Sequence, residues 1–271
     1  MLLGGFDGLH LGHCVLLAKA KSYGLPVGIM TIVGGKSRES VFTPAERNEL
    51  FRTAGIDYVF ELPFSEICDT SFADFAALLV DKFSPKRFVC GEDFRFGKGA
   101  LGSPQALERA TRVRVDVEEL AKLNGEKIST ATVKKRLAEG EVEKANELLA
   151  REFFLLGEVL EDRKVGRTIG FPTANIAYPS DKFPLKRGVY ETRVEVDGRE
   201  YRCITNYGAR PTFDDLSVLT ETHLDGFTGN LYGKTLKVRF VRFLREIEKF
   251  ESAEKLQAQL QKDIRRVREN D

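Results

Sequence analysis

The period of the apolar pattern changes near Phe153, and that change limits the folds open to this chain. Ahead of it, short apolar runs (Met1 to Leu3, Val27 to Val33, Tyr58 to Leu62, Arg87 to Cys90, Val113 to Val117) alternate with helical patterns. These pass through Val15, Leu16, Leu17 and Ala20, from Pro44 to Ala54, and from Ser71 to Phe83. Such alternation implies βαβ units and a mostly parallel sheet. Thr43-Pro44 fits a capped helix start, and beyond Lys127 to Thr132 a last helix is expected to run to about Leu149. After Phe153, β-branched and aromatic residues alternate with charged ones. Tyr190 to Val196 and Glu200 to Thr205 flank Asp197-Gly198, a pair suited to the positive φ angles of a tight type I′ hairpin turn. Leu236 to Leu244 alternates again, so the second half is expected to form a small antiparallel barrel. A closing helix from about Ser252 carries Leu256, Leu260, Ile264 and Val267 on one face, and its basic end, Arg265-Arg266, suits the helix dipole. Two domains follow, 1–150 of α/β class and 151–271 of β class, meeting near Arg151 without a long linker.

Charge narrows the partners. With 42 basic against 41 acidic residues, the net charge of +1 supplies no global field for nucleic acid or a membrane surface, so any anion must be gripped locally. Cys14, Cys68, Cys90 and Cys203 stand singly, without C-x-x-C spacing, and read as reduced thiols of a soluble cytoplasmic protein. No apolar run is long enough to span a bilayer, and no export segment opens the chain. Oligomeric state leaves no signature.

Three segments of the first domain carry chemistry. The turn Gly4-Gly5-Phe6-Asp7-Gly8 joins the first strand to a helix opened by His10-Leu11-Gly12-His13. A glycine turn lets backbone approach a ligand, and a helix N-terminus offers unpaired N–H groups and a positive dipole end to an anion. His10 and His13, on one side of the first turn, can donate to the same phosphoryl oxygens, with Gly12 leaving a flat gap for a purine. Two partly exposed histidines, or half a metal site, are the plainer readings, and no nearby His or Cys completes a metal set. Ile128-Ser129-Thr130-Ala131-Thr132-Val133-Lys134 opens the last helix of the domain; its hydroxyls suit caps. Lys134 and Lys135 in that opening turn oppose the dipole unless a phosphate lies there. Gly91-Glu92-Asp93-Phe94-Arg95-Phe96-Gly97 follows a strand, where ligands of α/β sheets bind.

In the second domain, the segment Gly166 to Asn175 (G-R-T-I-G-F-P-T-A-N) joins a glycine loop to a Pro172-fixed turn. Thr173 and Asn175 can supply neutral oxygens to Mg2+ whose shell is completed by substrate phosphates, or simply form a Pro-Thr turn with an Asx cap. Glu221, on an expected strand from Leu219 to Leu224, can accept a hydroxyl proton if it points inward, or lie exposed. Asn206-Tyr207-Gly208-Ala209-Arg210-Pro211-Thr212-Phe213 can line a planar aromatic ligand or merely turn the chain.

In order along nearly the whole chain, these motifs resemble the prokaryotic bifunctional riboflavin kinase/FMN adenylyltransferase (FAD synthetase) family. The matching stretches are F-D-G-x-H-x-G-H (Phe6 to His13), G-x-D-F-R-F-G (Gly91 to Gly97), I-S-T (Ile128 to Thr130) and G-R-x-x-G-F-P-T-A-N (Gly166 to Asn175). N-x-G-x-R-P-T-F (Asn206 to Phe213), E-x-H (Glu221 to His223), L-Y-G-K (Leu231 to Lys234) and F-L-R-x-x-x-K-F (Phe243 to Phe250) continue it. The resemblance implies a Rossmann-like nucleotidyltransferase domain followed by a β-barrel kinase domain with a C-terminal helix. It implies ATP, riboflavin and FMN as substrates and Mg2+ as cofactor. Phe6, Asp7, Gly12, Ser129, Thr130, Lys134, Gly166, Gly170, Pro172, Thr173 and Asn175 would contact nucleotide, with Thr173 and Asn175 also holding the metal. Asp93, Phe94, Asn206, Arg210 and Arg245 would contact flavin, Glu221 would act as general base, and His10 and His13 would serve adenylyl transfer.

The chain departs from the family pattern in places. Members usually carry an aromatic-acid-Pro-His-Pro stretch where Ile32-Val33-Gly34-Gly35-Lys36-Ser37 stands, and Arg in place of Lys134, which lacks the bidentate grip of a guanidinium. Asp162 stands where Gly is frequent, and Ala100 where Arg is. Two competing expectations follow: a riboflavin kinase with a weakened or inactive adenylyltransferase half, and a non-catalytic flavin-binding protein.

Overall fold

The computed structural model describes residues 1–34, 39–119, 122–161, 171–209 and 218–269. Two compact units divide the chain, Met1–Thr132 and Val133–Asp271.

In the first unit, β1 (Leu2–Leu3), β2 (Gly28–Val33), β3 (Tyr58–Pro63), β4 (Phe88–Gly91) and β5 (Val115–Glu118) form one parallel sheet in the order β3-β2-β1-β4-β5. The order reverses at β1, which pairs with β2 on one side and β4 on the other, so a crevice opens beyond the carboxyl ends of β1 and β4. Between the strands run α1 (Leu11–Lys21), α2 (Pro44–Thr53), α3 (Phe64–Ile67), α4 (Phe72–Phe83) and α5 (Pro104–Thr111). Leu3, Met30, Leu62, Phe75, Leu79 and Phe88 belong to the core that holds them. Thr43 caps α2 through a reciprocal bond with Glu46, as the Thr-Pro pair foretells. Two helices escape the apolar pattern, the single-turn α3 and α5, although α5 carries its own Ser103 cap and Pro104. A ribbon of β6 (Lys122–Leu123) and β7 (Glu126–Lys127) turns at Asn124-Gly125.

The single helix expected to reach Leu149 is two helices, α6 (Thr130–Glu139) and α7 (Val142–Leu149). Gly140, at φ 81°, ends α6: its N–H donates to Leu137 O, and that of Glu141 to Arg136 O. This paired return of N–H groups to the last carbonyls is a Schellman ending, and a side chain there would be strained.

The second unit is one antiparallel sheet in the order β8-β13-β10-β11-β12-β9: β8 (Phe153–Glu158), β9 (Thr173–Ala177), β10 (Gly188–Val196), β11 (Arg199–Ala209), β12 (Val218–Leu224) and β13 (Thr235–Arg245). Its two end strands curl together through a bridge between Leu160 and Asn175. Gly157 permits this approach, since a Cβ there would stand 2.4 Å from Ile176 Cγ2. The β10–β11 hairpin turns at Asp197 (φ 51°) and Gly198 (φ 78°), as expected. α8 (Ala253–Glu269) lays Ile264 and Val267 on Val189, Ile204 and Leu244. The sequence reading of an α/β unit followed by a small antiparallel barrel and a closing helix holds, the barrel being a curled six-stranded sheet. Among the described residues no helix is long and apolar enough to cross a membrane.

Candidate active sites

At the crevice of the first unit lies a pocket of about 400 Å³ lined by Gly4, Gly5, Phe6, His10, Gly12 and His13 from the first turn, by Gly91, Asp93, Phe94 and Arg95 after β4, and by Lys127 to Ala131. His10 is the N-cap of α1: its Nδ1 accepts the backbone N–H of His13 at 3.2 Å. His13 Nδ1 lies 2.8 Å from Gly8 O. The two imidazoles stack at 3.6 Å between centroids with planes 13° apart, and Phe6 lies 4.5 Å from His13. Burial pulls the His10 pKa down to about 4, against opposing contributions from its own backbone and Asp93. Burial, then the neighbouring His10, holds His13 well below the usual histidine range. Both rings are therefore neutral at neutral pH. A helix N-terminus with neutral donors suits a ligand that brings its own negative charge.

Of the residues expected here, Phe6, His10, Gly12, His13, Asp93, Phe94, Ser129 and Thr130 do meet in this pocket. A Cβ on Gly12 would lie 3.1 Å from His10 Cε1, so the gap it leaves borders that imidazole. Ser129 lines the pocket and also caps α6, accepting Thr132 N–H at 3.2 Å, so the two readings of its hydroxyl coexist. Asp7 lies outside the lining and accepts Val41 N–H at 3.1 Å. Lys134 belongs to the second unit, its ammonium 5.4 Å over the Phe183 ring. Sequence reasoning passed over Lys127, which lines the pocket and pairs with Asp93 at 3.0 Å.

The second unit builds its site across strands. Register sets Asn206 of β11 opposite Glu221 of β12, and Glu221 opposite Asn175 of β9. Asn206 Nδ2 donates to Glu221 Oε2 at 3.2 Å, which fixes the carboxylate. Both line a cavity of about 320 Å³ with Thr173, His223, Arg245 and apolar Phe171, Val189, Ile204, Phe250, Leu256 and Leu260. His223 Nδ1 lies 2.9 Å from Pro172 O and holds the turn that presents Thr173. A second cavity, of about 380 Å³, meets the first at Thr173 and is lined by Pro172, Ala174, Leu224, Asn230, Leu231 and Tyr232. Thr173 thus stands between a largely apolar-walled chamber that holds the Glu221 carboxylate, with Glu248 also in its lining, and a second chamber.

Arg245 lines the first of these cavities, but its guanidinium is occupied: Nε and Nη2 donate to Asp263 Oδ2 at 3.0 and 2.8 Å, and Nη1 to Glu246 O. It ties β13 to α8 and thereby shapes the wall. His223, Phe171 and Phe250 fall within the quoted motifs but carry no assigned role, and in the second cavity only Pro172 and Thr173 do, because apolar and aromatic side chains look like core in a sequence. Gly166, Gly170 and Arg210 lie outside the described residues. For Mg2+, Thr173 and Asn175 share one face of β9, two residues apart, with the Glu221 carboxylate beside Asn175. A hydroxyl, an amide oxygen and one carboxylate are hard oxygen donors and fit that ion. Among the described residues no group of three or more His, Cys, Asp or Glu forms a separate metal cluster.

A parallel-sheet unit with a helix start suited to an anion, and a curled antiparallel sheet with a carboxylate beside a Pro-Thr turn, fit a two-site nucleotide-dependent transferase. Family models agree: that of FAD synthetase matches residues 1–132 and that of riboflavin kinase residues 149–270. The chain belongs to the bifunctional riboflavin kinase/FMN adenylyltransferase family. It is 33% identical to the bifunctional riboflavin kinase/FMN adenylyltransferase of Pseudomonas fluorescens, over 98% of this chain and 91% of that protein. The Listeria monocytogenes protein of the same name is 34% identical, over 97% and 89%. In fold it is similar over its whole length, at TM-score 0.89 and 27% identity, to 93% of a Streptococcus pneumoniae chain described as a macrolide-efflux protein.

Proposed function

We propose that the second unit phosphorylates the 5′-hydroxyl of riboflavin with ATP, giving FMN and ADP, and that the first transfers the adenylyl group of a second ATP to FMN, giving FAD and pyrophosphate. One observation carries the reading: a strand carboxylate, Glu221, is held by Asn206 in an apolar-walled cavity and set beside Asn175, while Thr173 joins that cavity to a second one. An alcohol is a weak nucleophile at neutral pH, so a base in that position has a task. Glu221 takes the hydroxyl proton as the riboflavin oxygen bonds to the γ-phosphorus, and the bond from that phosphorus to ADP breaks. The flavin occupies the chamber of Glu221 and Leu256, and the nucleotide the chamber of Pro172 and Leu231. Thr173 and Asn175 would hold Mg2+, which when bound neutralises phosphate charge. Adenylyl transfer needs no base, because the FMN phosphate, with a second pKa of about 6, is already largely ionised. His10, His13, Ser129, Thr130 and the start of α1 receive the charge that develops at the α-phosphorus.

The functional boundary in this reading falls near Arg151, and the partners are small molecules, without nucleic acid, as a net charge of +1 favours. Four free thiols support a cytoplasmic setting. Purified protein given riboflavin, ATP and Mg2+ will accumulate FMN and then FAD, resolved by chromatography. Absence of both flavins ends the reading.

A further inference from the structure

His10 and His13 are alike in the sequence, but their hydrogen bonds make them opposites. His10 Nδ1 accepts the backbone N–H of His13, so the neutral ring carries its proton on Nε2, already a donor for a phosphoryl oxygen. His13 Nδ1 faces Gly8 O, and a carbonyl only accepts, so the neutral ring carries its proton on Nδ1. The nitrogen left for a ligand is then His13 Nε2, a bare lone pair that repels phosphate oxygen.

We infer that the two histidines divide their labour by tautomer: His10 greets the nucleotide as a neutral Nε2–H donor, whereas seating the triphosphate draws one proton from solvent onto His13 Nε2. This rests on the first unit being the adenylyltransferase. The proton goes to His13 because protonating His10 would need its Nδ1, which caps α1, whereas His13 Nε2 can gain a proton with both existing bonds kept. It goes to one ring only, since two cations stacked at 3.6 Å repel strongly. The charged groups lining this pocket are Asp93 and Arg95 after β4, Glu119 after β5 and Lys127 ahead of α6. Asp93 is engaged by Lys127 and Glu119 brings a single negative charge, so the triphosphate supplies most of the negative charge able to compensate a cationic His13. The first turn adds Phe6 and a carbonyl, and α1 adds Cys14 beside His13.

Full-length protein labelled with 15N-histidine reports this directly, since it holds three histidines, assigned with the His10→Gln and His13→Gln variants. Without nucleotide, long-range 1H–15N spectra at about pH 7, near which phosphates are mostly ionised, will show His10 as the Nε2–H tautomer and His13 as Nδ1–H. Adding α,β-methylene-ATP with Mg2+ will move both His13 nitrogens into the imidazolium range while His10 shifts but stays neutral. Calorimetry in two buffers of different ionisation enthalpy will read up to one proton taken up per nucleotide, an uptake lost in His13→Gln and kept in His10→Gln. If His10 responds while His13 stays neutral, or if His13 is the Nε2–H tautomer before nucleotide, the inference falls and the adenylyltransferase reading stands. If neither ring responds at saturating nucleotide, both fall.

Discussion

The two units place their chemistry in contrasting ways. In the first, both histidines come from one turn and the helix behind it, with Ser129 and Thr130 added from the start of α6, and before nucleotide is bound burial keeps both histidines uncharged. In the second, they come from three strands brought abreast by register, with a carboxylate at the centre. The contrast follows from the nucleophiles: a phosphate arrives ionised and needs only donors, whereas a hydroxyl needs somewhere to leave its proton.

The contrast can be broken most forcefully at Glu221. Glu221→Gln is expected to slow FMN formation by about 10²–10⁴-fold, the usual worth of a general base, while supplied FMN still becomes FAD; flavin chromatography reads both. Arg245→Met strands the Asp263 carboxylate, which is 6% exposed. It should destabilise the second unit by about 3–5 kcal/mol, seen in denaturant unfolding, and riboflavin phosphorylation should fail before adenylyl transfer does. His10→Ala should slow FAD formation by about 10²–10³-fold with FMN formation intact, a split that steady-state assays of each half-reaction resolve. Thr43→Ala, which removes the cap of α2, should cost about 1 kcal/mol in the first unit and leave both reactions running in the folded protein.

The same contrast governs what could be read from the sequence. Features encoded within a few neighbouring residues were legible: the Thr43 cap, the Asp197-Gly198 turn, the strand–turn–helix around His10 and the apolar face of α8. The first pocket was therefore largely visible, except where a side chain's partner is distant in sequence. Asp7 finds Val41, and Lys127 finds Asp93. Lys134 finds Phe183. The break at Gly140 was missed because the apolar period continues through it into α7, although a glycine at a helix end has a local reason to stop it. In the second unit the motifs could be found one by one, but not their assembly. That Glu221 lies between Asn206 and Asn175 depends on the register of three strands, which no local pattern states. Arg245 was expected at the flavin, and its engagement with Asp263 on α8 is likewise non-local.

Mixing the Glu221→Gln and His10→Ala proteins tests the claim of two independent sites most directly. Each alone, given riboflavin, ATP and Mg2+, should stop short of FAD, the first at riboflavin and the second at FMN. Together they should make FAD, because FMN released by the His10→Ala protein is a substrate for the intact first unit of the other. A mixture that yields FMN but no FAD, or either variant losing both reactions, would contradict it.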